Sequence, residues 1–413
     1  MATQLIRAVR LPRCLLPEAW PEADASPLLA DLEVSGGRFR AVRPHVPGPT
    51  ETDSIDLAGA LALLGLLEAH AHLDKAFTRQ RLGKLEPGLL AAIAAMQRDR
   101  AHWTDDDLRA RAERALRMAW HAGVTHLRTH VDWWSLAAPR SWHILTELAY
   151  EWRHRVRLQR VALVPLPFFA SAADAATIAA QLKDEPYAVL GGFVHTSNYS
   201  HAALDNLLHA ALSASLDLDL HVDEELDPQA HGLEHVAAWA MQHRYIGRIV
   251  CGHVCTLASR DEAEALALLD RVSRAPITLV TLPATNLLLQ DASLARTPRQ
   301  RGLTLVKEAH ARGIPVLIGS DNVQDAFCPL GNFDPVEALR LAVMAAQLDD
   351  TFDTWAAAIC RDDWLAPKPA ARRSLVGLPA TLTVFPDADP HTWPASTARR
   401  VLRGGAHSLL TWS

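Results

Sequence analysis

Residues 68–75 read Glu-Ala-His-Ala-His-Leu-Asp-Lys and directly follow an apolar run, Ala62–Leu67, that has the composition of a buried strand. Two histidines, His70 and His72, stand two positions apart in this stretch. Residues at i and i+2 of a strand point to the same side, so the two imidazoles could bind one cation together. In a chain with 20 histidines such a pair also arises by chance. The pair therefore indicates a metal site only if further ligands lie elsewhere in the sequence.

The apolar run before His70 is the first of eight strand-like segments, with helix-like segments between most of them. Eight strands alternating with helices predict a parallel α/β fold, most naturally a closed (β/α)8 barrel of the TIM type. An open doubly wound sheet is the competing fold, but neither of its glycine-rich signatures, GxGxxG or GxxxxGK[ST], occurs. The predicted strands are Ala62–Leu67, Thr125–Val131, Arg157–Pro165, Ala188–Val194, Leu216–Val222, Arg248–Cys251, Ile277–Thr281 and Ile314–Ile318, and the predicted helices include Ala110–Ala122, Ala173–Leu182, Ala202–Ala214, Gly232–His243 and Asp261–Val272.

The two ends of the chain differ from this central part. Residues 1–58 are rich in proline, glycine and turn formers, and they contain β-like pieces such as Ala30–Val34. Near the C-terminus, Ala380–Phe385 again alternates like a strand. We therefore expect a small β module at each end and predict that both ends share one small sheet.

Composition excludes several classes of protein. Of the 413 residues, 49% are hydrophobic and 21% are charged, which is typical of a globular enzyme and not of a disordered chain. The net charge of −6 argues against binding to nucleic acid or to an anionic membrane, and the sequence contains no apolar run long enough to span a membrane. Five cysteines without a CxxC pair, and an N-terminus that lacks the apolar core of a signal peptide, favour a reducing cytoplasm.

Further candidate ligands stand at the ends of later predicted strands, where the catalytic groups of a barrel belong. His221, His253 and Asp321 each follow such a strand, and Glu224 lies three positions beyond His221, on a loop over the barrel mouth. Each residue alone has an ordinary explanation as a polar group at the barrel rim. Together they supply imidazoles and a carboxylate for a four-ligand site, which suits zinc or iron(II) better than calcium or magnesium. Glu224 is placed to deliver a proton.

These segments resemble the amidohydrolase superfamily, specifically its cytosine deaminase branch. The resemblance is carried by HAHLDK (residues 70–75), HVDEE (221–225), CGHV (251–254) and SDNVQDAFCPLGN (320–332). It extends to GVTHLRTHVD (123–132), LPATNLLLQ (282–290) and RGLTLVKE (301–308), and so covers roughly residues 60–345. It implies a barrel over residues 59–375 and a small β-sandwich built from residues 1–58 and 376–413.

The resemblance also implies roles for individual residues. His70, His72, His221 and Asp321 would ligate one divalent metal ion, zinc or iron(II). Glu224 would be the proton shuttle, His253 would sit beside a metal-bound hydroxide, and Asp321 would also accept a proton from the attacking water. The implied function is hydrolytic deamination of a small amino-substituted heterocycle, a cytosine-like pyrimidine or a related ring, with release of ammonia. A small-molecule substrate is then the expected partner, and association into a homo-oligomer is a further expectation.

Two other activities stay open. A two-metal hydrolase of cyclic amides would carry a carboxylated lysine at the end of the fourth strand, but residues 188–195 (AVLGGFVH) contain no lysine. An N-alkyl-amino-triazine aminohydrolase would use the same one-metal chemistry and release an alkylamine. A binding protein on an enzyme scaffold is a third reading, which the presence of Glu224 disfavours because such a protein needs no proton shuttle.

Three candidate substrate contacts depart from the cytosine deaminase pattern. Leu166 stands where that branch carries a glutamine that grips the pyrimidine, and Asn322 replaces the second of two aspartates. Phe327 keeps an aromatic residue where tryptophan is usual. A pocket without its polar gripping groups rejects a ligand that needs them. We therefore expect a ring other than cytosine, such as another aminopyrimidine, a pterin-like ring or an N-alkylated triazine.

A pair of charged residues is predicted inside the barrel. Arg128 shares a strand face with His130, and Asp219 shares one with His221, so both charges would point inward. A buried unpaired charge is costly. We therefore predict that Arg128 and Asp219 lie close to each other or to other opposite charges.

Overall fold

A computed structural model describes residues 3–24, 26–48, 54–366, 374–404 and 410–412 of the chain. The N-terminal part consists of short strands. They are β1 (Thr3–Val9), β2 (Glu22–Ala23), β3 (Ser26–Pro27), β4 (Ala30–Ser35), β5 (Arg38–Pro44), β6 (Ser54–Asp56) and β7 (Leu61–Leu64).

Eight parallel strands follow, and each pairs with the next along the chain. The first and last strands meet at a bridge between Ala71 and Asp321, where the Asp321 amide donates to the His70 carbonyl over 2.8 Å. The predicted eight-stranded barrel is therefore confirmed. Its strands are β8 (Leu66–Ala71), β9 (Val124–Asp132), β10 (Arg157–Pro165), β11 (Ala188–Val194), β12 (Leu218–Val222), β13 (Ile249–His253), β14 (Ile277–Thr281) and β15 (Val316–Ile318).

Helices lie between and around these strands. The longest, α2, begins after Thr104, whose side chain accepts a hydrogen bond from the Asp107 amide, and three aspartates in its first turn suit the positive end of the helix dipole. The helices are α1 (Leu89–Asp99), α2 (Asp105–His121), α3 (Arg140–Trp152), α4 (Ala172–Ala180), α5 (His201–Ala214), α6 (Gly232–Gln242), α7 (Glu262–Val272), α8 (Pro283–Leu289), α9 (Val306–Ala311) and α10 (Pro335–Ala346).

The prediction of one strand over Ala62–Leu67 is wrong. Residues Leu61–Leu64 form β7, which pairs with a C-terminal strand, and the barrel strand β8 begins only at Leu66. Gly65 separates the two, and a Cβ at this position would lie 2.3 Å from the Thr125 hydroxyl oxygen. Only glycine fits so close an approach, and the chain passes there from one sheet to the next. As a result His70 lies within a barrel strand and not beyond its end.

In the described residues, the ends of the chain form two four-stranded sheets and a small sheet of β2 and β3, rather than one shared sheet. The C-terminal strands are β16 (Thr381–Phe385), β17 (Arg400–Arg403) and β18 (Thr411–Trp412). One sheet has the order β5-β4-β1-β6 and the other β18-β17-β16-β7. A bridge between Arg38 and Pro379 links them, because the edge residue Phe39 bonds through its backbone to residues 377 and 378. The boundaries at residues 58 and 375 stay a prediction.

The end of the barrel where the strands begin is closed by residues 361–366. Arg248, just before β13, donates from Nε to the Ala366 carbonyl over 2.9 Å, and Thr278 donates to the Trp364 carbonyl over 2.8 Å. Leu365 and Trp364 pack against buried residues of the barrel strands, among them Leu67, Val250 and Leu317. These contacts fill the end of the barrel at residues 361–366, and the active sites of such barrels lie at the opposite end, where the strands finish.

Candidate metal centre and active-site cavity

Four predicted ligands meet at the carboxyl end of the barrel. His70 lies in β8, His72 just after it, His221 near the end of β12, and Asp321 after β15. All four are buried, and one ligand atom from each lies within 4.8 Å of the others. His72 Nε2 is 3.1 Å from Asp321 Oδ1 and 3.3 Å from His221 Nε2, and His70 Nε2 is 3.5 Å from Asp321 Oδ1.

The chemistry of this cluster fits a divalent transition metal. The cluster is formed by Nε2 of His70, His72 and His221, and the His70 atom is buried with no hydrogen-bond partner among the described residues. Burial lowers the pKa of all three imidazoles well below the ordinary value, which keeps them neutral and able to ligate. Buried polar atoms without partners are costly. Three neutral imidazoles and one carboxylate form a donor set typical of zinc or iron(II).

Glu224 and His253 lie beside this cluster. Glu224 Oε1 is 3.3 Å from His253 Nδ1, and both side chains are buried and line the same cavity. Burial, and after it the charge of Asp321, raises the pKa of the Glu224 carboxyl well above its ordinary value. His253 Nδ1 is also 3.1 Å from Asn286 Nδ2, whereas its Nε2 is buried with no hydrogen-bond partner in the described part of the chain. The structure thus brings together all six residues predicted for catalysis and metal binding.

The backbone at these strand ends is unusual. Asp223, His253 and Asp321 have φ angles of 52°, 70° and 60°, in the left-handed region that residues with a side chain rarely adopt. Such residues cluster at functional sites, where the surrounding structure holds them. Here the Asp223 carboxylate accepts hydrogen bonds from the amides of Gly232 and Leu233, which secures the loop that carries Glu224.

The cluster opens into a cavity of about 210 Å³. Asn322 and Phe327, both predicted substrate contacts, line it. Helix α1, whose role the sequence did not reveal, contributes an apolar wall through Leu89, Leu90 and Ile93. The remaining lining residues are His72, Lys75, Met96, Gln97, Asp132, Trp134, Leu163, Pro165, Phe193, Ser197, Asn198, His221, Glu224, His253 and Asp321.

The placement of Leu166 as a substrate contact is wrong. Strand β10 ends at Pro165, and Leu166 begins a 3₁₀ helix (Leu166–Phe169) that turns its side chain into the hydrophobic core. Leu163 and Pro165 line the cavity instead. They are two positions apart and so share one face of the strand. This strand does present apolar residues to the site, but they are Leu163 and Pro165 and not Leu166.

Lys75 and Asp132 form an ion pair at the cavity that the sequence did not predict. Lys75 Nζ is 2.9 Å from Asp132 Oδ1 and 4.9 Å from the centre of the Phe327 ring. Burial alone would lower the pKa of the Lys75 amine, but the carboxylates of Asp132 and Asp74 raise it overall, so the amine stays charged. The sequence did contain a sign of this ion pair, because Lys75 belongs to the motif HAHLDK and Asp132 to the motif GVTHLRTHVD.

Glu68 is a further residue whose role the sequence did not reveal. Its carboxylate accepts hydrogen bonds from the Ser320 amide over 2.9 Å and from the Ser320 hydroxyl over 2.6 Å. Burial raises its pKa to about 7. The side chain ties the strand that carries His70 to the segment that carries Asp321, so it fixes two candidate ligands relative to each other. The position of a carboxylate inside an otherwise apolar strand could have indicated this role.

The predicted buried ion pair is confirmed. Arg128 donates to Asp219 Oδ2 over 2.7 Å and to Gln159 Oε1 over 2.9 Å. The other Asp219 oxygen is 3.1 Å from His130 Nε2, and the His130 ring stacks on that of His70 with 3.8 Å between their centres. The pair therefore lies directly behind a candidate metal ligand.

Residues 88–367 match the amidohydrolase family. The chain belongs to this family. The match covers more than half of the sequence and begins after His70 and His72. The assignment of these two residues as candidate ligands therefore rests on the distances between their side chains, His221 and Asp321.

This amidohydrolase is similar to several enzymes. It is 36% identical to a pterin deaminase of Rhizobium rhizogenes, over 86% of this chain and 82% of that protein. It is 23% identical to an N-isopropylammelide isopropyl amidohydrolase of a Pseudomonas species, over 78% of each chain. Its fold superimposes on 5-methylcytosine deaminase from Klebsiella pneumoniae with a TM-score of 0.78 and 25% identity, covering 97% and 96% of the two chains.

These matches establish the class of enzyme. The chain is a hydrolase of a metal-dependent family, and it acts on carbon–nitrogen bonds other than peptide bonds, as the sequence predicted. Within the described ranges, no helix of this amidohydrolase has the length and apolar character needed to cross a membrane.

Gly252 of this amidohydrolase offers a test of the metal centre. A Cβ at this position would lie 3.1 Å from Cε1 and 3.2 Å from Nδ1 of His70, closer than ordinary contact. We expect Gly252→Ala to displace the imidazole and to lower metal affinity by roughly 10- to 100-fold, as loss of a ligand's support does. Competition with a chelator measures the affinity. Gly48→Ala is the control, because the nearest atom to its Cβ would be 3.8 Å away. If both variants bound the metal with equal affinity, the assignment of His70 as a metal ligand would be contradicted.

Proposed function

We propose that this amidohydrolase is a one-metal deaminase that hydrolyses the exocyclic amine of a pterin-like heterocycle. The observation that carries the proposal is the buried cluster of the candidate ligands His70, His72, His221 and Asp321, at the wall of a cavity that Glu224 also lines. A deaminase needs a water activated by a metal and a group that delivers a proton to the ring, and a binding protein needs neither.

The choice of a pterin-like ring rests on the relatives and on the cavity. The pterin deaminase at 36% identity covers most of both chains. The cavity of about 210 Å³ is smaller than the roughly 300–1,000 Å³ typical for drug-sized ligands, which favours a compound of one or two rings. Lys75 and Asp132 add a donor and an acceptor for the polar edge of such a ring.

A second candidate substrate is an N-alkyl-amino-triazine. The relative from Pseudomonas is described as an N-isopropylammelide isopropyl amidohydrolase, and the apolar side chains of Leu89, Leu90 and Ile93 could accommodate an alkyl group. A cytosine-like pyrimidine is a third candidate, which the similarity to 5-methylcytosine deaminase supports.

In the proposed mechanism, a metal ion held by the four ligands would lower the pKa of a water molecule so that it attacks at neutral pH. Asp321 accepts a proton from this water on a carboxylate oxygen. Glu224 donates a proton from its carboxyl to the ring nitrogen next to the attacked carbon, which makes that carbon more electrophilic. His253 stabilises the negative charge that develops on oxygen. The ionised Glu224 carboxylate then takes the proton of the added hydroxyl and passes it to the amine, the carbon–nitrogen bond breaks, and ammonia leaves as the carbonyl forms. Asp321 returns its proton to Glu224, which restores both carboxyl groups.

Removal of the metal is the first test of this proposal. We expect the protein treated with a chelator to release no ammonia, and zinc or iron(II) to restore the activity. After dialysis against metal-free buffer, elemental analysis should find about one tightly held ion per chain. Two such ions, with activity on a cyclic amide, would favour the two-metal alternative.

Substrate screening is the second test. The protein loaded with zinc or iron(II) is offered pterin, cytosine and N-isopropylammelide, and the release of ammonia or isopropylamine is measured. We expect the fastest release from pterin. Failure on all ring amines would contradict the proposal, and release of isopropylamine alone would favour the triazine reading.

A cytoplasmic location, a homo-oligomeric state and the three-segment division at residues 58 and 375 also stay proposals.

A further inference from the structure

A second cluster of metal-binding side chains lies on the outer surface of the barrel, between α5 and α6. His201 and Asp205 are four residues apart on α5 and so face the same side of the helix, one turn from each other. His235 reaches the same point from α6. None of these residues lines the active-site cavity.

The three side chains converge closely. His235 Nε2 is 2.8 Å from Asp205 Oδ1, and His201 Nδ1 is 3.3 Å from Asp205 Oδ2. The two imidazole rings are 4.0 Å apart at their centres. One ligand atom from each residue lies within 4.8 Å of the others, as in the active site.

The charges around Asp205 differ from those of a surface ion pair. Among the described residues, only imidazoles approach this carboxylate, and no lysine or arginine pairs with it. The neighbouring Glu234 has its own cation, since its Oε1 is 2.9 Å from Arg271. The half-buried Asp205 carboxylate between two imidazoles thus lacks the permanent positive charge that the neighbouring Glu234 has.

Tyr199 supplies the support that a metal-binding histidine usually has. Its hydroxyl oxygen is 3.0 Å from His235 Nδ1. If His235 carries its proton on Nδ1 and donates it to this oxygen, the lone pair of Nε2 is free for an ion. His235 itself is largely buried, so its ring is held in place by its surroundings.

We propose that His201, Asp205 and His235 form a peripheral site for a divalent transition ion such as Zn²⁺, separate from the active site. Two imidazoles and one carboxylate favour zinc, nickel or copper over calcium or magnesium. With three protein ligands and His201 exposed to solvent, the remaining positions are open to water, so the ion exchanges freely with the medium. An ion bound there would link α5 to α6. This site does not depend on the proposed function.

The test is zinc binding to the protein that already holds its active-site ion. Isothermal titration with Zn²⁺ should find one further equivalent per chain, which dialysis removes. We expect His201→Ala, whose side chain is 74% exposed, and Asp205→Asn to lower the affinity for this equivalent by more than the roughly 10- to 100-fold typical of an outer-shell change. Tyr199→Phe should lower it within that range.

Two controls separate this site from the active site. His143→Ala removes another exposed helical histidine, on α3, and should leave the further equivalent unchanged. Asp321→Asn should lose the tightly held ion and keep the exchangeable one, while His201→Ala should keep its rate of ammonia release. A wild-type protein that takes up no further zinc, or a His201→Ala variant that binds it as the wild type does, would overturn the proposal.

Discussion

Replacing Glu224 with glutamine should leave the metal in place and slow ammonia release by about 10²- to 10⁴-fold, the usual contribution of a positioned general acid or base. Glutamine keeps the shape of the side chain but cannot donate a carboxyl proton. Glu224 Oε1 is 3.3 Å from His253 and lies outside the ligand cluster of His70, His72, His221 and Asp321. The effect should therefore appear in kcat while the metal content stays at the wild-type value.

The matched control is Asp227→Asn, three residues further along the same loop. Asp227 accepts a hydrogen bond from the Gln229 amide and does not line the cavity. We expect its turnover to equal that of the wild type. Steady-state kinetics with elemental analysis measures both variants. If Glu224→Gln turned over at the wild-type rate with its metal bound, the proposed proton shuttle would be wrong.

The largest effect on stability is expected from Asp219→Asn. Removing one partner of a buried ion pair costs about 3–5 kcal/mol, because the other charge is left buried without compensation. Arg128 and Asp219 are 1% and 0% exposed, and the neutral amide of the variant would leave the guanidinium without its counter-charge. Because Asp219 also contacts His130, which stacks on His70, we expect weaker metal binding as well.

Asp270→Asn is the control for this prediction. Asp270 pairs with Arg312 at 2.7 Å, a distance equal to that of the buried pair, but its side chain is 54% exposed. Exposed pairs contribute about 0–1 kcal/mol, so its unfolding free energy should hardly change. Urea denaturation compares the two variants with the wild type. Losses of equal size would show that burial of Arg128 and Asp219 is not what makes the pair important.

Much of the barrel could be predicted from the sequence because its signals are local. Apolar strand segments alternate with helical ones along the chain, and short-range periodicity determines each element. The candidate ligands could be placed for the same reason, since a barrel puts the carboxyl ends of its strands on one face. His221, His253 and Asp321 could be predicted as site residues from their positions at the ends of strands.

One error arose where a contact between distant residues decides the conformation, and the other where a strand gives way to a 3₁₀ helix. Gly65 divides β7 from β8 because Thr125 leaves no room for a Cβ, a contact that spans 60 positions. Leu166 turns into the core because it begins a 3₁₀ helix directly after β10, whose end at Pro165 agrees with the prediction. In both cases the exact residue at which a strand begins or ends decides which side chains face the site, since neighbouring residues of a strand point to opposite sides.

By itself, the sequence determined the kind of fold and the class of reaction, and it predicted the candidate metal ligands, because these depend on residue type and on spacing along single strands. Only the tertiary structure decided what surrounds that chemistry: the apolar wall from α1, the pairing of Lys75 with Asp132, and the meeting of His201 and Asp205 with His235. These contacts join residues far apart in the chain, and packing alone brings them within bonding distance.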